Sequence, residues 1–173
     1  LGGLFTLSSC TAPTNVKDYS AYVNPFIGTG GHGHTFPGAV VPHGMIQPSP
    51  DTRIDGWDAC SGYYYADSTI NGFSHTHVSG TGCCDYGDVL LMPTVDKQQY
   101  RTTDPQSQRL AYASSFSHKN EIAEPGYYSV FLDTYQVKAE ISSTKRGAIH
   151  RYTFPENTES GFIIDLDYSL QRQ

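Results

Sequence analysis

The amino-acid sequence predicts an all-β chain, an antiparallel β-sandwich carrying long glycine- and histidine-rich loops. Three observations lead there. Short apolar segments recur between residues 89 and 166, each closed by turn chemistry. Almost no stretch repeats its apolar residues at the three-and-four interval of a helix. Aromatic residues make up 13% of the chain, with 13 tyrosines, while charged residues are only 16%. That balance suits a folded domain that packs and binds with rings, and argues against a disordered chain.

The strands can be placed in order. VLLMPTV (Val89 to Val95) is a compact apolar run of buried-strand length. YYSVFLD (Tyr127 to Asp133), VKAEIS (Val137 to Ser142), AIHRYTF (Ala148 to Phe154) and GFIIDL (Gly161 to Leu166) follow. The breaks between them are Glu124-Pro125-Gly126, Thr144-Lys145-Arg146-Gly147 and Pro155-Glu156-Asn157, all turn formers. In VKAEIS, Val137, Ala139 and Ile141 alternate with Lys138, Glu140 and Ser142, which predicts one buried face and one wet face. Ser107 to Ser117 reads as a polar connection of unassigned structure. From Tyr22 to about Asp88 the text is rich in Gly, His and Tyr, and its apolar stretches are only a few residues long.

A chain of 173 residues is one domain's length. Net charge is −6, and the 11 Lys and Arg form no basic run. Nucleic acid is therefore excluded as an expected partner, because phosphate binding needs clustered cations. No apolar run reaches the roughly 18 residues that a membrane-spanning helix needs.

The first ten residues, LGGLFTLSSC, read as the tail of an apolar signal region running into a bacterial lipobox. Lipid on Cys10 would tether the protein to a membrane without a spanning helix. Residues 1–20 are then signal remnant and polar tether, and 21–173 the folded domain. The expected location is that of an exported lipoprotein, at the outer membrane or in the periplasm. The plain alternative is a buried first strand that ends at a chance cysteine. In an oxidising compartment a disulfide from Cys60 to Cys83 or Cys84 is plausible. The adjacent Cys83-Cys84 lacks the two-residue spacer of a zinc knuckle.

Chemistry is expected in the loops. GTGGHGHTFPGAVVPHGM (Gly28 to Met45) holds six glycines and three histidines and no charged side chain. Glycine lets backbone approach a neighbour closely, and Pro37, Pro42, Pro48 and Pro50 stiffen the same path. Its histidines either cap backbone carbonyls or reach a ligand. DTRIDGWDACSGYYYADS (Asp51 to Ser68) carries the only tryptophan, Trp57, between Asp55 and Asp58 and ahead of three tyrosines. Sugars are bound by such mixtures, an aromatic face covering C–H groups while carboxylates bond hydroxyls. Trp57 as core filler is the competing assignment. FSHTHVSGTGCCDYGD (Phe73 to Asp88) supplies His75 and His77 at i, i+2. On a strand both would point to one face and could share a metal. Otherwise they bond loop backbone or a substrate hydroxyl.

Two long segments go further. VNPFIGTGGHGHTFPGAVVPHGMIQPSPDTR and GWDACSGYYYADSTINGFSHTHVSGTGCCDYGDVLLMPT resemble the amino-terminal domain of glycoside hydrolase family 92, the bacterial exo-acting α-mannosidases. The resemblance runs from about Tyr22 through Thr94, and more loosely to the end. It implies an amino-terminal β-sandwich followed by a larger (α/α)6 domain, with the active site between them. It also implies removal of terminal α-linked mannose with inversion, by a Glu acid, a Asp base and a calcium ion. In the family both carboxylates and the calcium ligands belong to the carboxy-terminal domain. This chain would then be an incomplete sandwich that supplies pocket loops and no catalytic residue. On the resemblance Trp57 lies near the leaving-group subsite. Asp58, His32, His34, His75 and His77 are the accompanying substrate-binding candidates, and no metal ligand is assigned. Many members carry a second aromatic where this chain has Ala59, and a His where it has Tyr64. Both changes leave linkage preference open, the first arguing mildly against a simple α-1,2 assignment. A non-catalytic carbohydrate-binding β-sandwich is the main alternative. A metal-dependent hydrolase or oxidoreductase built on His75 and His77 ranks after it.

Overall fold

The computed structural model describes residues 17–54, 56–96 and 110–170. Cys10 and the signal remnant lie outside the described residues. Nine strands are present among those described, and every pairing is antiparallel. One sheet runs β1 (Ser49–Asp51), β3 (Gly72–Ser74), β4 (Leu90–Val95) and β9 (Ser160–Asp165). The other runs β2 (Thr69–Ile70), β5 (Ser114–Glu124), β6 (Tyr127–Leu132), β7 (Val137–Ser143) and β8 (Ala148–Thr153). All five expected strands form, with ends within about two residues of those expected.

The core lies between the sheets. Phe73 of β3 is fully buried, its ring 6.4 Å from Tyr128 of β6 and 6.3 Å from Tyr152 of β8. Val130 faces Ala139 and Tyr128 faces Ile141 across the β6–β7 ladder, all four buried. This is the alternation anticipated for β7. Its wet face departs in one place, because Glu140 is buried. Arg151 holds its carboxylate with two bonds, at 2.8 and 2.7 Å, and Tyr127 and Lys138 add two more at 2.9 and 3.2 Å. These donors, Arg151 above all, hold the Glu140 carboxyl down at about 2.

Two strand assignments need correction. The expected polar connection ends in the longest strand, β5. Its sequence, SSFSHKNEIAE, hides the period because two of its inward positions, Ser114 and Glu121, are polar. A register shift between Phe116 and Glu121 also breaks the alternation. Inside the loop-rich region β1, β2 and β3 are only two or three residues long, too short for a periodic signal.

The sandwich is open at one side. β8 and β9 are edge strands. Phe162 touches Tyr152 at 5.4 Å and Phe154 at 5.7 Å, yet it is 52% exposed, and Ile164 and Leu166 are more so. An apolar row on an uncovered edge is the mark of an incomplete sandwich.

A carboxylate at the heart of the fold ties loops to sheet. Glu121 of β5 is buried and accepts from the Tyr63 hydroxyl at 3.0 Å, the Tyr128 hydroxyl at 2.6 Å and His118 Nδ1 at 2.6 Å. Burial, and then the carboxylate itself, push both phenols well above their ordinary range, so they remain donors. Glu121→Ala is expected to destabilise the chain by about 3–5 kcal/mol, since it strands two phenols and an imidazole. Tyr128→Phe removes one donor only and should cost about 1–2 kcal/mol. Urea unfolding checks the ranking; equal losses would mean that Glu121 is not the hub.

Candidate functional site

Two loops build the site. The first is the glycine–histidine segment. Gly33 must be glycine there, because a Cβ would collide with the backbone of Gly28. The tight turn is closed by Thr35, whose amide donates to the Gly28 carbonyl and whose hydroxyl donates to the Ile27 carbonyl. It sets His32 and His34 side by side. The second loop begins at Gly56, at φ +108, and makes one 3₁₀ turn, Trp57–Ala59.

The two loops meet at Trp57. The indole is 59% exposed, which excludes the core-filler assignment. His34 meets it edge-on at 4.4 Å and His32 lies tilted at 5.1 Å. His32 Nδ1 bonds Asp58 Oδ1 at 2.5 Å. His34 is buried; its Nδ1 lies 2.9 Å from Cys60 Sγ, while its Nε2 has no hydrogen-bond partner among the described residues. Burial pushes the Cys60 thiol up, so it meets the ring protonated and is an inert packing partner. Gly82, at φ +63, closes the cluster: a Cβ there would stand 3.4 Å from Trp57 Nε1 and 3.7 Å from His34 Nε2. The result is an open aromatic face flanked by an imidazole and a carboxylate, which can cover the C–H face of a sugar and bond its hydroxyls.

Four of the six candidate residues, Trp57, Asp58, His32 and His34, are thus brought together. His75 and His77 are not with them. β3 ends at Ser74, so the strand geometry that would aim both at one metal is absent, and the rings go to different partners. His77 is buried, with Nε2 2.8 Å from Asp51 Oδ1 and Nδ1 donating to the Gln47 carbonyl at 2.7 Å. His75 Nδ1 donates to the Val89 carbonyl at 2.9 Å. Among the described residues no three His, Cys, Asp or Glu side chains are placed to hold a metal ion. Nor is the plausible disulfide formed: Cys60, Cys83 and Cys84 are all thiols. Asp55 lies outside the described residues.

Sequence reasoning missed the supports. Cys60 and Gly82 lie 26 and 48 positions from His34, and nothing in their local text announces the contact. Nor does it announce that His118, paired with Glu121, stacks on Tyr65 at 4.2 Å and 12°. Tyr65 in turn donates its amide to Thr29 in the glycine segment at 2.9 Å. Beyond the site, Phe36, Val40, Val41, His43 and Glu124 line a separate cleft of about 500 Å³.

Comparison with known proteins adds the following. Residues 22–173 match the Glycosyl hydrolase family 92 N-terminal domain. An uncharacterized secreted glycosidase of Arthroderma benhamiae is 33% identical over 143 residues, covering 81% of this chain and 18% of that protein. The family GH92 alpha-mannosidase BT3965 of Bacteroides thetaiotaomicron, solved with mannoimidazole, superposes with a TM-score of 0.81 at 44% identity. That match covers 87% of this chain and 20% of that one. The family GH92 inverting mannosidase BT2199 of Bacteroides thetaiotaomicron gives 0.69 at 31% identity, with 87% and 20% covered. The chain therefore spans about a fifth of the length of these relatives.

Two outcomes are expected of the site. Alkylation under denaturing, non-reducing conditions should label Cys60, Cys83 and Cys84 alike, and peptide mass analysis counts the labels. Gly82→Ala, forced to a left-handed backbone, should cost about 1–2 kcal/mol and shift the fluorescence of the sole tryptophan.

Proposed function

Because the chain belongs to the amino-terminal domain family of glycosyl hydrolase family 92, we propose that it is the pocket-wall portion of a larger exo-α-mannosidase acting on terminal mannose of glycans. The observation that carries this reading is the exposed Trp57 indole with His32 and Asp58 beside it. An aromatic wall of this kind holds the apolar face of a pyranose while leaving its hydroxyls to polar neighbours. His34, buried behind the indole, sets its angle and is the positioning member of the group.

The same proposal assigns the chemistry to the rest of the longer polypeptide. Inverting hydrolysis needs an acid and a base roughly 6.5–9.5 Å apart, with water between the base and the sugar. We place both carboxylates, and the calcium ligands, in a carboxy-terminal (α/α)6 domain that is also the physical partner of this one. Among the described residues no three His, Cys, Asp or Glu side chains converge on a metal position. This chain alone would bind mannosides weakly and turn none over. We extend the proposal to export, which the secreted relative supports, with lipid on Cys10 and residues 1–20 as tether.

A non-catalytic carbohydrate-binding module draws on the same exposed indole, and one experiment separates the two. In the longer protein, Trp57→Ala is expected to lower kcat/KM on α-mannosides about tenfold or more, the equivalent of ~1.4 kcal/mol, with the unfolding midpoint unchanged. If mannosides bind at Trp57 in the full-length polypeptide and none is hydrolysed, with or without added calcium, the module is the correct reading. If kcat/KM is indifferent to Trp57, the pocket wall lies elsewhere.

A further inference from the structure

The segment from His75 to Val89 is a loop closed at its neck and seated on the site at its tip. At the neck the His75 amide donates to the Asp88 carbonyl at 3.3 Å, and the Gly87 amide to the Thr76 carbonyl at 2.9 Å. The Thr76 hydroxyl donates to the Asp88 carboxylate at 2.9 Å and accepts from the Asp88 amide at 3.0 Å. At the tip the Gly80 amide donates to the His34 carbonyl, and Gly82 faces Trp57 Nε1.

One imidazole of β8, that of His150, meets His75 at this neck. His75 Nε2 lies 3.1 Å from His150 Nε2, and His150 Nδ1 lies 2.8 Å from the Tyr152 hydroxyl. The Val89 carbonyl can only accept, so His75 Nδ1 carries a proton. In neutral rings every other position follows. His75 Nε2 accepts from His150 Nε2–H, and His150 Nδ1 accepts from Tyr152 O–H. The carbonyl at the end of this chain belongs to a β-branched residue at φ +57, an unfavourable backbone for valine. The His75 bond helps to hold it there.

We propose that His75 and His150 form an acid-sensitive clasp: neutral, they hold the neck of the 75–89 loop to β8 and keep its tip against Trp57 and His34, and protonation of His150 releases it. A proton on Nδ1 deprives Tyr152 of its acceptor. It also places a charge beside His75, among the rings of Phe73 and Tyr152. The titratable groups facing His150 are His75 from the segment after β3 and Tyr152 on β8. Asp88 bonds Thr76 and neither imidazole. Burial first, and then His75, lower His150 to about 4. Its unfolded value is about 6.5, so the unfolded chain binds the proton more readily. The closed form is therefore fully supported above about 6.5 and loses that support as pH falls through about 4. A pH response of sugar binding would rest on the proposed function; closure of the loop does not.

Hydrogen–deuterium exchange on the full chain, corrected for the intrinsic pH dependence, tests the clasp at the amides of Gly80, Gly87 and Asp88. Protection should fall about tenfold or more between pH 7 and pH 4. In His150→Gln the change with pH should vanish, while His43→Gln, at an exposed imidazole elsewhere, keeps it. A wild type with no response, or His150→Gln with the full response, overturns the proposal. Should His150→Gln fail to fold, carbon-13 spectra of the wild-type imidazoles decide. His75 as the Nδ1–H tautomer with His150 titrating near 4 supports the clasp, and His150 titrating near 6.5 overturns it.

Discussion

The structure turns on one buried carboxylate. A charge removed from water must be met by donors, or it costs several kcal/mol. Glu121 is met by three, which come from different parts of the chain. Tyr128 belongs to the neighbouring strand β6. Tyr63 belongs to the loop that begins at Gly56, so the carboxylate draws that loop onto the sheet. His118, three residues before Glu121, is held against Tyr65, and Tyr65 is bonded to Thr29 of the glycine segment. Both loops of the site are therefore referred to a single fixed point in β5. This is how a region with strands of two or three residues keeps a defined shape.

The density of histidine has the same explanation. Loops offer backbone carbonyls that no ladder satisfies, and an imidazole can satisfy two groups at once. His77 joins Asp51 of β1 to the Gln47 carbonyl from a buried position. His75 joins the Val89 carbonyl to β8. His34 backs Trp57 and rests on the Cys60 thiol. Only His32 of this group stands open to solvent beside the indole. Most of the imidazoles organise the loops, and the surface they organise is the exposed aromatic face of Trp57.

Membership in the hydrolase family and the open side of the sandwich agree. The chain accounts for about a fifth of its solved relatives, and the exposed row on β9 is apolar where a finished sandwich would be covered. The proposed pocket wall, made of loops, suits such a domain. The sheets supply rigidity and the loops supply contacts.

What the sequence determined by itself was whatever repeats locally or is written in contiguous motifs. The compact apolar run of β4, the short segments of β6, β8 and β9, the period-two text of β7, their turns and the two loop motifs were legible, and with them the fold class and the candidates Trp57, Asp58, His32 and His34. Short-range patterning carries that information, because alternation along a strand reflects which face is buried. Tertiary structure decided the rest. It made a strand of SSFSHKNEIAE, whose inward Glu121 is tolerated only because Tyr63 and Tyr128 arrive from elsewhere. It left Cys60, Cys83 and Cys84 as thiols, and it sent His75 and His77 to separate partners by ending β3 at Ser74, before either of them. Each of these outcomes depends on a group far away in the chain, and burial of a polar side chain is favourable only once that partner is in place.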